Sequence, residues 1–316
     1  TASHKQRRLA YEIAWGAHAH KLKYLTPTNQ HPRCRKCRQI LTNSHMVAGC
    51  DTHSRLRTAR HHSTFTLFAE ALRQSDGGRW PFLAMDLGTG PVKDFDAEFQ
   101  STITGAQDAT SSVSTTSKRT RQSSTRPYTP DGEEPKPSHV GVKIPPYILP
   151  TSLLPQHCKP DIVRAVGFYV HPETGRLVPD DQYIGARKLQ LIECKFSTDY
   201  NMHEIIELIK TIYEPLRIAI QSHGTLGCEV EIIPIVISRT GSFHCQTLGE
   251  IAQLISYQEE PPPHFNFHTL PLPARRVVTS LTTHAHQWLD LALRVSWATI
   301  TPQKQHRHRP RGPVTS

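Results

Sequence analysis

Apolar residues along the chain form short runs of strand length and longer runs with helical spacing. β-Branched and aromatic residues are frequent in 161–170, 189–196 and 228–238, which predicts three strands. Apolar residues recur at helical spacing over about twenty residues after Asn201, and 248–257 is predicted to be a short amphipathic helix. The order strand, strand, helix, strand, helix predicts an α/β fold with a mixed sheet.

Capping and proline signals add detail to the long helix and to the third strand. Glu204, three residues after Asn201, predicts a capping box at the start of the helix. Pro215 predicts either a kink in this helix or two helices joined there. Pro234 predicts a bulge or a sheet edge in the third strand. The apolar positions that define the helix are Met202, Ile205, Ile209, Ile212, Leu216 and Ile220.

Two acids and a lysine lie in the first two strands. Asp161 follows Lys159-Pro160 and opens the first strand, and Glu193 and Lys195 lie inside the second. Because successive side chains of a strand alternate between its faces, Glu193 and Lys195 share one face. The other face carries Ile192, Cys194 and Phe196. Pro and Gly residues in the connection predict turns, so the two acids can approach each other on one sheet.

This combination of residues is typical of a metal-dependent nuclease site. Phosphodiester hydrolysis needs a nucleophile formed near neutral pH and a means of dispersing negative charge, and Mg²⁺ held by one or two carboxylates supplies both. Asp161 and Glu193 are the predicted ligands of Mg²⁺ or Mn²⁺, with the backbone carbonyl of Cys194 as a third oxygen. Lys195 is predicted to orient the attacking water or to stabilise the anionic transition state. The alternative is an edge strand with two solvated charges.

The chain contains similar short motifs in other surroundings. Glu134-Pro-Lys136 is also Glu-x-Lys, and Pro130-Asp131 and Pro179-Asp180 are also Pro-Asp. All three lie in polar, Pro-rich surroundings with no strand to present them, so context favours the pair at 161 and 193.

A second group of residues has the spacing of a zinc site. Cys34, Cys37, His45 and Cys50 follow the pattern Cys-x2-Cys-x7-His-x4-Cys, in which a tight turn carries two thiolates and the next segment completes a tetrahedron. His53 could replace His45 as the ligand. Four protein ligands leave no open position, which favours a structural zinc over a catalytic one. Free thiols beside a coincidental histidine are the alternative. The basic residues expected to contact nucleic acid are Arg33, Arg35, Lys36 and Arg38 around the cysteines, together with Lys159.

These residues together resemble the C-terminal region of site-specific, early-branching non-LTR retrotransposon proteins. That family carries a Cys-Cys-His-Cys zinc knuckle followed by a restriction-like endonuclease of the PD-(D/E)XK class. The spacing from Cys34 to Cys50 resembles the knuckle, Lys159-Pro160-Asp161 resembles its Lys-Pro-Asp motif, and Glu193 with Lys195 resembles the distal acid and lysine. The resemblance covers about residues 31–260. It implies a restriction-endonuclease-like core with helices on both faces, and an enzyme that nicks chromosomal DNA to prime reverse transcription.

The resemblance also implies a helix and a strand ahead of the Lys-Pro-Asp motif. Residues 59–73 have the pattern of that helix and 80–87 that of the strand, and Asp86 is either an additional acid or a strand-end residue facing water. Two features differ from the family. A Ser/Thr-rich stretch, 100–140, is predicted to be a disordered insertion, and the interval from Asp161 to Glu193 is long, which puts the pairing of the motifs in doubt.

The composition limits which classes of partner and how many domains are expected for this chain. A net charge of +10 favours a polyanionic partner. The 37% apolar content and 25 Pro favour one modest core beside a small metal-stabilised module. The sequence has no apolar run of 18 residues, so no membrane span is predicted. It has seven cysteines, which a metal site mostly explains, and this indicates a reducing compartment. With a DNA target, the nucleus is the expected location.

The predicted organisation has six parts. They are a basic helical linker (1–30, helix 5–23), the zinc knuckle (31–54), the first part of the endonuclease (55–99), the insertion (100–140), the endonuclease core (141–260) and a Pro-rich, basic tail (261–316). The tail includes a predicted helix at 279–298, with Leu281, Trp288, Leu289, Leu291 and Val295 as its apolar positions. His284 and His286 within it are predicted to be packing or surface residues rather than ligands.

Three functional hypotheses follow. The first is a metal-dependent DNA endonuclease of a non-LTR retrotransposon, with element RNA as a further partner and with the chain as a fragment that lacks its upstream reverse transcriptase domain. The second is a non-catalytic nucleic-acid-binding protein from a degenerate element. The third is a host repair or recombination nuclease of the same fold.

Overall fold

The computed structural model describes residues 3–14, 34, 37, 39, 40, 42, 45, 54–85, 94–102, 144–155, 158–256 and 266–300. The helices within these ranges are α1 (His4–Ala14), α2 (Ser54–Ser75), α3 (residues 95–102), α4 (Met202–His223), α5 (Cys245–Ser256) and α6 (Leu272–Ile300). The strands are β1 (Phe82–Met85), β2 (Ile162–Val166), β3 (Phe168–Val170), β4 (Leu177–Pro179), β5 (Lys188–Ser197) and β6 (Glu229–Ser238), and a 3-10 helix spans Thr151–Leu153. Among the helices of these ranges, none combines the length and the apolar character that crossing a bilayer requires.

A four-stranded sheet with the order β1-β2-β5-β6 forms the centre of the fold. β1 and β5 both pair antiparallel with β2, whereas β6 runs parallel to β5. A parallel neighbour requires a crossover connection, and α4 supplies it between β5 and β6. The predicted α/β class with a mixed sheet is therefore confirmed.

β6 is the edge strand that Pro234 predicts. Pro234 lies opposite Glu193 in a continuous parallel register, so there is no bulge at this position. A proline cannot donate a backbone hydrogen bond, and an edge strand tolerates that loss because one of its sides has no partner strand.

The first predicted strand, 161–170, is two strands. Gly167 has a φ of +78° and turns the chain out of the sheet, so that β3 pairs with β4 in a separate two-stranded ribbon. A Cβ atom at Gly167 would lie 2.5 Å from the ring of Tyr183, which excludes larger residues there. Periodicity does not reveal this break, since the apolar run continues across it.

Helices cover both faces of the sheet. On one face, Ile192 and Cys194 pack with residues of α2, α5 and α6. On the other, Leu189 and Leu191 pack against α4. Each fully buried aliphatic side chain contributes about 1.5–3 kcal/mol to folding, so the two layers stabilise the sheet from both sides. Phe196 packs on the first face, which gives β5 the alternation predicted from its sequence.

Helix α4 differs in detail from its prediction. It is one helix that contains Pro215, and the side chain of Asn201 makes no capping hydrogen bond. Asn201 has φ −109° and ψ 12° rather than the extended conformation of a capping residue, so the predicted capping box is wrong. The buried stripe is Met202, Ile206, Ile209, Tyr213, Leu216 and Ile220. Ile212 is 41% exposed, and Ile206 and Tyr213 face the sheet where Ile205 and Ile212 were expected.

The segments at the two ends of the chain also differ from expectation. Helix α6 begins before the predicted 279 and packs into the core, so part of the expected tail is a core helix. Its predicted apolar positions Leu281, Trp288, Leu289, Leu291 and Val295 are all buried. Residues 100–102, expected to begin the insertion, are helical, and 103–140 lie outside the described residues. Likewise the structure describes only the α1 part of the predicted helix 5–23.

Candidate active site and metal cluster

The predicted acids lie where strand β5 extends beyond the start of its neighbour β2. β2 begins at Ile162, opposite Ile192, so β5 extends beyond β2 from Glu193 to Ser197. Asp161 lies immediately before β2, and its Oδ2 accepts a hydrogen bond from the amide of Cys194 at 2.8 Å. The side chain of Asp161 thus occupies the open edge of β5 beside Glu193.

Glu193 is held from two sides. Its side chain is buried, and Oε2 accepts a hydrogen bond from the hydroxyl of Tyr213 on α4 at 2.8 Å. Oε1 forms an ion pair with Nζ of Lys195, whose side chain is about half exposed. Because residues two apart on a strand share a face, the acid and the lysine meet without any change in backbone direction.

His61 completes the site from the opposite face of the sheet. It lies on α2, with its ring 5.0 Å from that of Phe65. Its Nε2–H donates to the backbone carbonyl of Cys194 at 2.7 Å, and the same nitrogen lies 3.4 Å from Oδ2 of Asp161. Since a carbonyl only accepts, Nε2 of His61 carries a proton in this arrangement.

Neither His61 nor Tyr213 is predicted from the sequence to be part of the site. The sequence signal for His61 is weak, because it is one of two adjacent histidines in an otherwise ordinary helix. Tyr213 does leave a signal, since the helical spacing 206, 209, 213, 216 and 220 runs through it as well as through the aliphatic residues.

Burial and mutual charge dominate the electrostatics of the site. Burial raises the pKa of Glu193, and the carboxylate of Asp161 raises it further, while Lys195 and Tyr213 oppose the shift. Burial would lower the pKa of Lys195, but the carboxylate of Glu193 outweighs it and the pKa is raised. For His61, too, the lowering by burial is outweighed, here by Asp161, and the pKa is raised. The two acids, Lys195 and His61 are therefore electrostatically coupled.

Two neighbouring residues of the Lys-Pro-Asp segment have different environments. The thiol of Cys158 is buried and donates to the carbonyl of Ile212 at 3.1 Å. Burial raises the pKa of this thiol, and the charge of Glu193 adds to the rise. Lys159, the predicted nucleic-acid contact, is exposed two residues from Asp161. Asp86, the possible additional acid, lies outside the described residues.

The donor atoms around Asp161 are of the types that divalent cations prefer. The carboxylates of Asp161 and Glu193 and the carbonyl of Cys194 are oxygen donors, which Mg²⁺ and Mn²⁺ prefer, and His61 adds an imidazole nitrogen. All four groups lie at the end of β5 that extends beyond β2. A cation here would use Asp161, Glu193 and the Cys194 carbonyl as its ligands, with His61 able to join them once Nε2 loses its proton.

The second predicted site is a compact cluster near the start of the chain. The ligand atoms of Cys34, Cys37 and His45 all lie within 4.8 Å of one another, and Sγ of Cys37 is 3.3 Å from Nε2 of His45. The amide of Cys34 donates to the carbonyl of Gln39 at 2.8 Å, which closes the turn that carries both cysteines. Two sulfurs and one imidazole nitrogen match the donors of structural zinc.

Several residues assigned to this module from sequence lie outside the described ranges. They are the fourth proposed ligand Cys50, its neighbour His53, and the basic residues Arg33, Arg35, Lys36 and Arg38. Within the part of the chain that is described, the cluster of Cys34, Cys37 and His45 is the only group of three His, Cys, Asp or Glu side chains with ligand atoms this close together.

Comparison of the chain with protein-family models, with curated proteins and with solved structures gives no match.

Proposed function

We propose that the chain is a metal-dependent DNA endonuclease with a restriction-endonuclease-like core and an adjoining zinc module. One observation carries the proposal. Asp161 directly precedes β2 and lies at the open edge of the neighbouring strand β5, which carries Glu193. Lys195 forms an ion pair with Glu193 on the face of β5 opposite Cys194. The net charge of +10 supports a polyanionic substrate.

Each side chain has a role in this proposal that follows from its contacts. Asp161 and Glu193 hold the cation, and the amide of Cys194 and the hydroxyl of Tyr213 fix the orientation of the two carboxylates. When bound, Mg²⁺ or Mn²⁺ supplies the positive charge that phosphodiester hydrolysis needs at the scissile phosphate. Lys195, whose half-exposed ammonium group is held beside Glu193, would stabilise the negative charge of the transition state.

The biological context is part of the same proposal. The order of a Cys-Cys-His-Cys module followed by Lys-Pro-Asp and Glu-x-Lys motifs resembles retrotransposon proteins that nick chromosomal DNA, and the observed Cys34, Cys37 and His45 cluster is consistent with zinc in the first module. In this context the chain acts in the nucleus on DNA, beside a reverse transcriptase domain and element RNA.

Plasmid nicking tests the proposal. The purified chain, with zinc retained, is expected to convert supercoiled plasmid to the open-circular form with Mg²⁺ or Mn²⁺ and to stop when EDTA is added. Asp161→Asn and Glu193→Gln are each expected to lower the nicking rate at least about 100-fold, because each change removes a charged ligand with little change in shape.

A matched control comes from the neighbouring strand. Glu231 on β6 interacts with Lys188 and Gln190, not with the proposed site, so Glu231→Gln should keep the nicking rate. Equal nicking by the wild type and both site variants would reject the active site. Absence of nicking in every protein, with DNA binding retained, would favour the non-catalytic binding protein instead.

A further inference from the structure

Three arginines lie together beside the proposed active site. Arg57 and Arg60 are one turn apart near the start of α2, and Arg239 follows β6 in the chain. Arg57 and Arg60 also line a small surface pocket, with Leu56, Trp288 and Ala292. The first two turns of α2 and the end of β6 therefore bring three positive charges to one place.

Arg60 is buried in a manner unusual for a charged side chain. It is only 6% exposed, and its Cζ lies 4.3 Å from the centroid of the Phe196 ring. Its Nε has no hydrogen-bond partner among the residues that the structure describes. The like charges of Arg239 and Arg57 act on its guanidinium group. A buried charge normally requires a counter-ion, and the groups acting on Arg60 have its own sign.

A second buried arginine shows the usual arrangement. Arg164 is 1% exposed, and its guanidinium group lies 2.7 Å from the carboxylate of Asp76. Among the described residues, one buried arginine thus has a counter-ion, whereas the other has like charges beside it. Burial beside like charges is unfavourable for Arg60 in the free protein and becomes favourable when an anion binds next to it.

The cluster is continuous with the proposed active site. Arg60 directly precedes His61, and Phe196, on which Arg60 stacks, directly follows Lys195. The amide of Arg239 donates to the carbonyl of Ser197 at 2.9 Å, which fixes the start of its loop to the end of β5. An anion held by the arginines would therefore lie beside the acids, next to the end of β5.

We propose that Arg60, with Arg57 and Arg239, forms a subsite for a backbone phosphate of the DNA substrate that flanks the scissile phosphate. The planar guanidinium group can donate two parallel hydrogen bonds to phosphate oxygens, and stacking on Phe196 fixes its plane. Bound phosphate supplies a counter-charge for Arg60, which has none among the residues that the structure describes. This inference rests on the proposed function, because it requires nucleic acid as the substrate.

Duplex binding in EDTA tests the subsite without cleavage. The affinity of the full chain, with zinc retained, is measured by fluorescence anisotropy on a labelled duplex at several salt concentrations. Arg60→Gln is expected to raise Kd about tenfold at low salt and to reduce the slope of log K against log salt by about 0.9, the value for one lost phosphate contact. Arg60→Lys keeps the charge but not the paired donors, so its Kd should lie between those of the wild type and Arg60→Gln.

Arg73 provides a matched control. It lies on the same helix and its Cζ is 4.8 Å from the ring centroid of Phe82, but it is exposed and lies four turns away. Arg73→Gln therefore removes the same charge and the same kind of ring contact, and its Kd should stay close to that of the wild type.

Thermal unfolding without DNA separates binding from folding. Arg60→Gln is expected to unfold at the same or a higher temperature than the wild type, because it removes a buried charge repelled by its neighbours. An unchanged Kd for Arg60→Gln, an equal loss with Arg73→Gln, or a wild type that does not bind duplex DNA would each overturn the subsite. If the wild type does not nick DNA but Arg60→Gln still weakens duplex binding as expected, the nuclease proposal is rejected and the subsite is retained.

Discussion

The backbone carbonyl oxygen of Cys194 lies 2.7 Å from Nε2 of His61, 133 residues earlier in the chain. This contact joins α2 to the open edge of β5, where the carbonyl has no partner from β2. The same nitrogen is 3.4 Å from Oδ2 of Asp161. His61 thus holds the two oxygen atoms that the proposed cation would share, and its imidazole is suited to coordinate that cation.

His61 is therefore expected to contribute to metal affinity. His61→Ala should weaken Mn²⁺ binding about tenfold or more, because a nitrogen ligand is lost and Asp161 loses a neighbour that orients it. Isothermal titration calorimetry with Mn²⁺ on the zinc-loaded protein measures this directly. His223→Ala, an exposed histidine at the end of α4, is the control. Equal affinities for both variants and the wild type would exclude His61 as a ligand.

Tyr213 is expected to stabilise the ionised form of Glu193. Tyr213→Phe removes the hydrogen bond to the buried carboxylate, which costs about 1.5–3 kcal/mol for a charged acceptor. Loss of this hydrogen bond raises the folded-state pKa of Glu193 further. The decrease in unfolding free energy should therefore be full at neutral pH and should shrink as the pH falls and Glu193 becomes protonated. Urea unfolding at pH 7 and at pH 4.5 measures the decrease in unfolding free energy at each pH. Tyr200→Phe, at an 88% exposed position, should show no such difference.

The cluster of Cys34, Cys37 and His45 is expected to hold one zinc ion per chain. Cys34→Ser should reduce the bound zinc, measured by inductively coupled plasma mass spectrometry after dialysis, because a hydroxyl is a much poorer zinc ligand than a thiolate. Cys245→Ser replaces an exposed cysteine outside the cluster and should leave the zinc content unchanged. A wild-type protein that retains no zinc would contradict the assignment.

The sequence predicts the parts of the site that depend on local periodicity. Glu193 and Lys195 share a face because strand side chains alternate, and the run after Asp161 has strand character. The sheet itself adds the rest. The stagger of β2 and β5 places Asp161 beside the Cys194 amide, and no local pattern contains that stagger.

His61 and the break at Gly167 show the same limit. His61 reaches the site only because α2 packs across the sheet on the face opposite α4, a tertiary relationship. Gly167 ends β2 through its positive φ inside a continuous apolar run, where periodicity favours one longer strand. Tyr213 has a different cause, since the spacing predicts a buried stripe through Ile212, one position away from the observed stripe through Tyr213.

The buried ion pair between Arg164 and Asp76 is expected to show a large asymmetry between single and double replacement. Asp76→Ala leaves the Arg164 charge buried without its partner and should cost about 3–5 kcal/mol of unfolding free energy. Replacing both residues, Asp76→Leu with Arg164→Met, should recover most of that loss because no charge is left behind. Urea unfolding at pH 7 compares the variants. Glu207→Ala, which removes an exposed pair with Lys210, should have little effect.

Glu250 on α5 is expected to make stability depend on pH near neutrality. Burial raises its pKa to about 7, with Lys210 opposing the shift and Glu231 adding to it. Between the unfolded value near 4.5 and this value, the folded protein binds more protons than the unfolded chain, so stability falls as the pH rises. The total loss is roughly 3 to 4 kcal/mol. Glu250→Gln should remove this component, so the variant should gain stability over the wild type between pH 5 and pH 8 in urea unfolding. The control Glu204→Gln, at an exposed position, should have the same pH dependence of stability as the wild type. If the stability of Glu250→Gln changed with pH in parallel with that of the wild type, Glu250 would be ionised in the folded protein at pH 5.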